Sequence, residues 1–103
     1  MTKLIANHRE QIIAWCVKWQ VAQLSVFGSA LRDDFGPHSD IDFMVTFAPQ
    51  AQWSVFSLNH MEDELAVIVG RPVDLIEKSA IEQSPNYIRR NSILSSAELV
   101  YAP

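Results

Sequence analysis

The sequence predicts a small α/β (α+β) fold: one mixed β-sheet flanked by helices, in a single domain spanning residues 1–103. Three observations lead there. Apolar residues switch between helical and alternating periods in the order α-β-β-α-β-α-β. The chain has 103 residues, 49% of them apolar, enough for one core and little more. No repeat, low-complexity tract or long linker divides it.

The elements follow from local chemistry. Residues 3–20 read as a helix, because Leu4, Ile5, Ile12, Ile13, Trp15, Cys16 and Trp19 recur at spacings of three and four. Residues 23–27 read as the first strand, closed by Gly28-Ser29, which opens a short turn through Arg32. Residues 33–38 form a loop broken by Gly36-Pro37. Residues 40–47 give the cleanest alternation in the chain and form the second strand. A helix over about residues 54–69 presents Phe56, Leu58, Met61, Leu65, Ile68 and Val69 to the core and stops at Gly70. Residues 73–76 form a third strand and residues 79–83 a helical turn. A last helix over about residues 85–96 takes Ser84 as its N-cap and Pro85 as its first residue. Residues 98–101 close the sheet.

Composition narrows the function classes. A net charge of −4 advertises no basic surface for long nucleic acid. The adjacent pair Arg89-Arg90 reads as a solvated helix face, as does Glu62-Asp63-Glu64. The lone Cys16 excludes an intrachain disulfide, fits a reducing cytoplasm, and reads as a small buried hydrophobe. His8, His38 and His60 show no ligand spacing with it, which argues against zinc. No stretch approaches the roughly 20 apolar residues a membrane span needs, and no signal-like segment starts the chain.

The chemistry concentrates in two motifs and one outlying residue. Gly28-Ser29 ends an apolar run, and Ser39-Asp40-Ile41-Asp42 begins the next. In a strand, residues i and i+2 share a face, so Asp40 and Asp42 stand together opposite Ile41, Phe43, Val45 and Phe47. Paired carboxylates on an apolar strand are costly unless a cation neutralises them. Hard oxygen donors of this kind suit Mg²⁺, which keeps water and nucleotide phosphates in its shell. The Gly-Ser turn can offer backbone N–H groups and a hydroxyl to those phosphates. Asp74 repeats the theme, a carboxylate between Val73 and Leu75 in another apolar strand. Three carboxylates on neighbouring strands fit two Mg²⁺ ions.

The pattern Gly28-Ser29-(two residues)-Arg32, then Ser39-Asp40-(one)-Asp42-(two)-Val45, then Asp74, resembles the DNA polymerase β nucleotidyltransferase superfamily. More narrowly, it resembles the minimal nucleotidyltransferases, the MNT proteins. The resemblance runs over about residues 23–76. It implies the polymerase-β-like nucleotidyltransferase fold and Mg²⁺-dependent transfer of a nucleoside monophosphate from ATP to a hydroxyl. Gly28 and Ser29 match the residues that hold the triphosphate, and Arg32 and Ser39 match motif positions that meet phosphate or order the loop. Asp40, Asp42 and Asp74 match the metal-binding, catalytic triad. Many MNT proteins pair with a HEPN-domain toxin as its antitoxin, and the resemblance implies AMP transfer to a tyrosine of such a partner in a hetero-oligomer. The chain departs from the family pattern after Arg32, where Asp33 and Asp34 stand in place of the usual Gly. Two other readings remain at this stage. One is an antitoxin that neutralises its toxin by direct binding without catalysis. The other is transfer to a small molecule or an RNA end.

Overall fold

The computed structural model describes residues 3–28 and 40–103. Its elements are α1 (Lys3–Asn7), α2 (Arg9–Lys18), β1 (Val21–Phe27), β2 (Ile41–Phe47), α3 (Val55–Val69), β3 (Val73–Glu77), α4 (Lys78–Glu82), α5 (Tyr87–Ser96) and β4 (Glu98–Tyr101). The strands form one sheet in the order β3-β2-β1-β4. β1 runs antiparallel to both β2 and β4, whereas β2 and β3 are parallel. The sheet is therefore mixed, as the sequence predicts. A parallel pair requires a crossover, and α3 supplies it.

The structure departs from the sequence reading at several points: β1 begins at Val21 and not at residue 23, and Phe56, expected to face the core, is exposed. The first helix is interrupted at His8, where α1 gives way to α2. Ile5 and Ile12 are both fully buried on either side of the break. Their spacing of seven residues keeps them on one face, so the apolar pattern alone cannot reveal the interruption. The last helix starts at Tyr87 with Asn86 as its N-cap, not at Pro85 with Ser84. The Asn86 side chain accepts the Arg89 backbone N–H at 3.1 Å. Ser84, Asn86 and Pro85 all satisfy local capping rules, and the competition is decided by the connection to α4. The predicted turn through Arg32 lies outside the described residues.

α3 has well-defined ends. The Ser54 hydroxyl accepts the Ser57 N–H at 3.3 Å, and the Ser57 hydroxyl accepts the Ser54 N–H at 2.6 Å. This reciprocal capping box uses serine where Glu or Gln is usual. At the other end Gly70 takes φ +71°, and its N–H donates to the Ala66 carbonyl at 2.8 Å. A left-handed residue at this position is the usual reason for a terminal glycine.

The sheet has two covered faces. On one, Leu24, Val26, Ile41, Phe43 and Val45 pack against Ile12, Trp15, Met61 and Leu65 of the helices. Burying a side chain of this size contributes on the order of 1.5–3 kcal/mol. The Trp15 indole N–H donates to the Met61 carbonyl at 3.1 Å, tying α2 to α3 inside this core. Burial pushes the Cys16 thiol up to about 12, so at neutral pH it is a packing group and no nucleophile. On the other face a smaller cluster forms from Phe27, Met44 and Ile81, with Ile76, Ile93 and Leu94 against it. α4 and α5 provide that cover, and the candidate acids belong to this second face.

Glu62-Asp63-Glu64 is not the uniform solvated stretch that the sequence predicts. Only Asp63 is fully exposed. Glu64 accepts Lys18 Nζ at 2.7 Å and the Trp19 indole N–H at 2.8 Å, and these bonds, Lys18 first, hold its carboxyl below the usual carboxylate range. Among the described residues, no helix is long and apolar enough to cross a membrane.

Candidate active site

Topology gathers the candidate residues at one end of the sheet. β1 finishes there at Phe27, and its antiparallel neighbour β2 begins there at Ile41. β3 runs parallel to β2 and so also begins there, with Val73 beside Ile41. Phe27 pairs with Asp42, and Asp42 pairs in register with Asp74. The sequence separates these two aspartates by a helix; the parallel pairing makes them neighbours on one face. Asp42 is half-buried, while Asp40 and Asp74 are exposed. Among the described residues no group of three His, Cys, Asp or Glu side chains is drawn together into a finished metal cage. The register aligns the backbone positions, and like charges oppose closer approach of the carboxylates themselves.

Gly28 follows Phe27 directly and adopts φ +72°. A Cβ built there would overlap the Asp42 carboxylate oxygen Oδ2 and stand 3.3 Å from Cγ. The glycine is therefore required twice, by the left-handed backbone and by the close approach of Asp42. Ser29, Arg32 and Ser39 lie outside the described residues, as do Asp33 and Asp34.

A cleft of about 790 Å³ opens between this strand end and α5. Its sheet wall includes Phe27, Gly28 and Asp42; its helix wall includes Asn86, Arg89 and Ser92. That volume lies in the range of small-molecule sites. A separate groove of about 460 Å³ between α2 and α3 is lined by Trp15, Val67 and Ile68, and its charged residues, Lys18 and Glu64, pair with each other at 2.7 Å. The first cleft, which brings the Asp42 carboxylate and the Arg89 guanidinium into one lining, is the one suited to chemistry.

The helix wall is what the sequence reading missed. Arg89 and Arg90 are not equivalent members of a solvated face. Arg90 Nη1 donates to the Ser84 carbonyl at 3.2 Å and the Glu82 carbonyl at 3.4 Å, fastening α5 to α4. Arg89 lines the cleft. The available signal was the spacing Asn86, Arg89, Ser92, Ser96, which lies on one side of a helix.

One further residue supports the site from behind. Among the described residues β3 pairs with β2 alone, and the Leu75 N–H of β3 donates to Glu62 Oε2 of α3 at 2.8 Å. This bond secures the strand that carries Asp74. Glu62→Ala is expected to lower stability by about 1 kcal/mol and to speed hydrogen exchange in β3, whereas Glu62→Gln, which retains an acceptor, should recover most of both. Urea unfolding with site-resolved exchange checks this; unchanged β3 protection in the alanine variant would refute the role.

Residues 8–99 match the family described as the nucleotidyltransferase domain. The chain belongs to that family. A curated relative from Methanocaldococcus jannaschii, named "Putative protein adenylyltransferase MJ0128", is 34% identical over 74 residues, covering 72% of this chain and 71% of the relative. Among solved structures, a crystal structure of a toxin-antitoxin with AMP-PNP superposes with a TM-score of 0.70 at 16% identity, covering 92% of this chain and 73% of that one. The tri-AMPylated Shewanella oneidensis HEPN toxin in complex with MNT antitoxin gives a TM-score of 0.64 at 15% identity, covering 96% of this chain and 73% of that one. At such identities the likeness is one of fold, and the fold is the polymerase-β-like nucleotidyltransferase fold that the motif spacing implies. The nucleotidyltransferase chain thus places Asp42 and the Cβ-free Gly28 in the wall of a cleft of about 790 Å³, with Asp74 in register beside Asp42 on the neighbouring strand.

The chemistry of the donors suits a divalent cation: Asp42 and Asp74 stand in register on adjacent strands, Asp40 precedes β2, and all three are hard carboxylates. Gly28 leaves the space that the Asp42 carboxylate itself occupies, so the carboxylate can lie against the turn.

Proposed function

We propose that this chain is an Mg²⁺-dependent adenylyltransferase that moves AMP from ATP onto a tyrosine hydroxyl of a partner HEPN toxin, and so acts as its antitoxin in the cytoplasm. The single observation that carries the reading is the juxtaposition of Gly28 and Asp42 in the cleft wall, with Asp74 in register beside Asp42, in a nucleotidyltransferase-family chain. The name of the archaeal relative and the AMPylated toxin in the similar complex support the choice of AMP and of a HEPN acceptor.

Each residue then has a role. Asp40 and Asp42 would hold both of two Mg²⁺ ions, and Asp74 would hold one. Bound there, Mg²⁺ would lower the pKa of the acceptor hydroxyl and neutralise charge on the phosphates. The Gly28 backbone and the Ser29 hydroxyl hold the triphosphate, with Ser39 and Arg32 as further phosphate contacts on the strength of their motif positions. The tyrosine oxygen forms a bond to the α-phosphorus, the bond from that phosphorus to the bridging β-phosphate oxygen breaks, and pyrophosphate leaves. The tyrosine proton passes to the Asp74 carboxylate, which is exposed and in register with Asp42.

The test is transfer of α-labelled ATP to a purified HEPN toxin in complex with this chain. Label on a toxin tyrosine, dependent on Mg²⁺, supports the reading. Neutralisation of the toxin without label transfer overturns it in favour of masking by direct binding. The second outcome has its own support in Val55, Phe56 and Val67, large apolar side chains left exposed on α3.

A further inference from the structure

We propose that Arg89 is a phosphate clamp: its guanidinium binds the polyphosphate of the nucleotide from the α5 side of the cleft, opposite Gly28 and Asp42. The inference rests on the nucleotide reading above and extends it to a helix outside the motif region.

Three observations converge on this residue. Arg89 is the cationic side chain among the described residues lining the cleft that holds Gly28 and Asp42. The neighbouring Arg90 is consumed by the carbonyls of Ser84 and Glu82, whereas among the described residues no hydrogen bond or ion pair engages the Arg89 guanidinium. The backbone beneath it is fixed, because the Asn86 side chain caps the Arg89 N–H at 3.1 Å and Arg90 fastens the same turn to α4. An exposed arginine on a rigid, doubly anchored turn loses little backbone freedom when a ligand orders it.

Charge favours the role. Three aspartates and a triphosphate bring together more negative charge than two divalent cations balance. The described lining of the cleft offers one further positive group, Arg89. A planar guanidinium suits phosphate because it donates two parallel N–H bonds to adjacent oxygens. The same α5 side carries Ser92, a further lining residue with a hydroxyl. The sheet side then contacts the phosphates through backbone and cation, and the helix side through Arg89.

The experiment is calorimetric titration of ATP, and of adenosine, into wild type, Arg89→Gln, Arg89→Lys and Asp42→Asn, each with Mg²⁺ and again in chelator. Arg89→Gln is expected to weaken ATP binding roughly 10- to 100-fold in both conditions, with unchanged adenosine binding and an unchanged melting temperature. Arg89→Lys should restore part of the loss. Undiminished ATP affinity in Arg89→Gln, beside loss in Asp42→Asn, would overturn the clamp and leave the nucleotide reading standing. Equal weakening of ATP and adenosine would overturn it as well, since that marks a change of cleft shape. Wild-type protein that binds no ATP under any condition overturns both the clamp and the reading beneath it. Normal ATP binding combined with lost transfer to the toxin would move Arg89 to the acceptor side and refute the clamp.

Discussion

Asp42→Asn should abolish nucleotidyl transfer, with a fall on the order of a thousandfold or more, in a protein that still melts as wild type does. The substitution keeps the size of the side chain and removes one charge from the centre of the site. Asp42 is the residue through which every part of the site passes. It pairs with Phe27 across β1, with Asp74 across β3, and closes on Gly28. Asparagine therefore exchanges one carboxylate oxygen for an amide NH2 and takes away the negative charge at this position. Because Asp42 is half-buried at a strand end and outside the main hydrophobic cluster, stability should change by no more than about 1 kcal/mol. The measurement is label transfer beside a urea unfolding curve. Transfer at a tenth of the wild-type rate or better would sink the assignment of Asp42 as the central ligand.

Gly28→Ala should damage both stability and binding. An alanine at φ +72° pays about 1–2 kcal/mol for the left-handed backbone, and its Cβ is driven into the Asp42 carboxylate. The carboxylate can escape only by rotating out of the position from which it serves the cleft. The expected result is a lower unfolding midpoint together with loss of measurable ATP affinity. A double variant separates the two costs. In Gly28→Ala/Asp42→Ala the collision disappears and only the backbone term remains, so the pair should lose less stability than the two single changes add up to. Strict additivity would show that the close approach of Gly28 and Asp42 carries no energy.

The legible part of this molecule was the part written in alternation and in punctuation. β2 could be read from Ile41, Phe43 and Val45, which are all buried on one face. Gly70 announced the end of α3, and it does end it in the left-handed conformation. Asp74 could be matched to Asp42 because a single carboxylate interrupts each of two apolar runs, and the parallel register sets them side by side. What stayed hidden depends on contacts between distant segments. Glu62 and Asp63 are adjacent acids with the same local propensity, but one reaches Leu75 and the other faces water. Arg89 and Arg90 differ only in which side of α5 they leave from, and that is fixed by where α4 docks. The break at His8 is silent because the apolar spacing survives it. The motif positions Ser29, Arg32 and Ser39 remain defined by sequence.

The placement of β3 at the rim of the sheet gives the site its own thermodynamics. Asp42 sits on an interior strand with partners on both sides, while Asp74 sits on a strand with one strand partner and the Glu62 bond beyond it. Fraying of β3 would take Asp74 away from Asp42 and would also loosen Leu75, a member of the main core, so that burial opposes the opening together with the Glu62 bond. The two aspartates can thus be parted by a local opening that starts at the rim of the sheet. Any ligand that bridges the two aspartates would staple the rim strand to the interior, and the chain would be most uniformly ordered when the site is loaded.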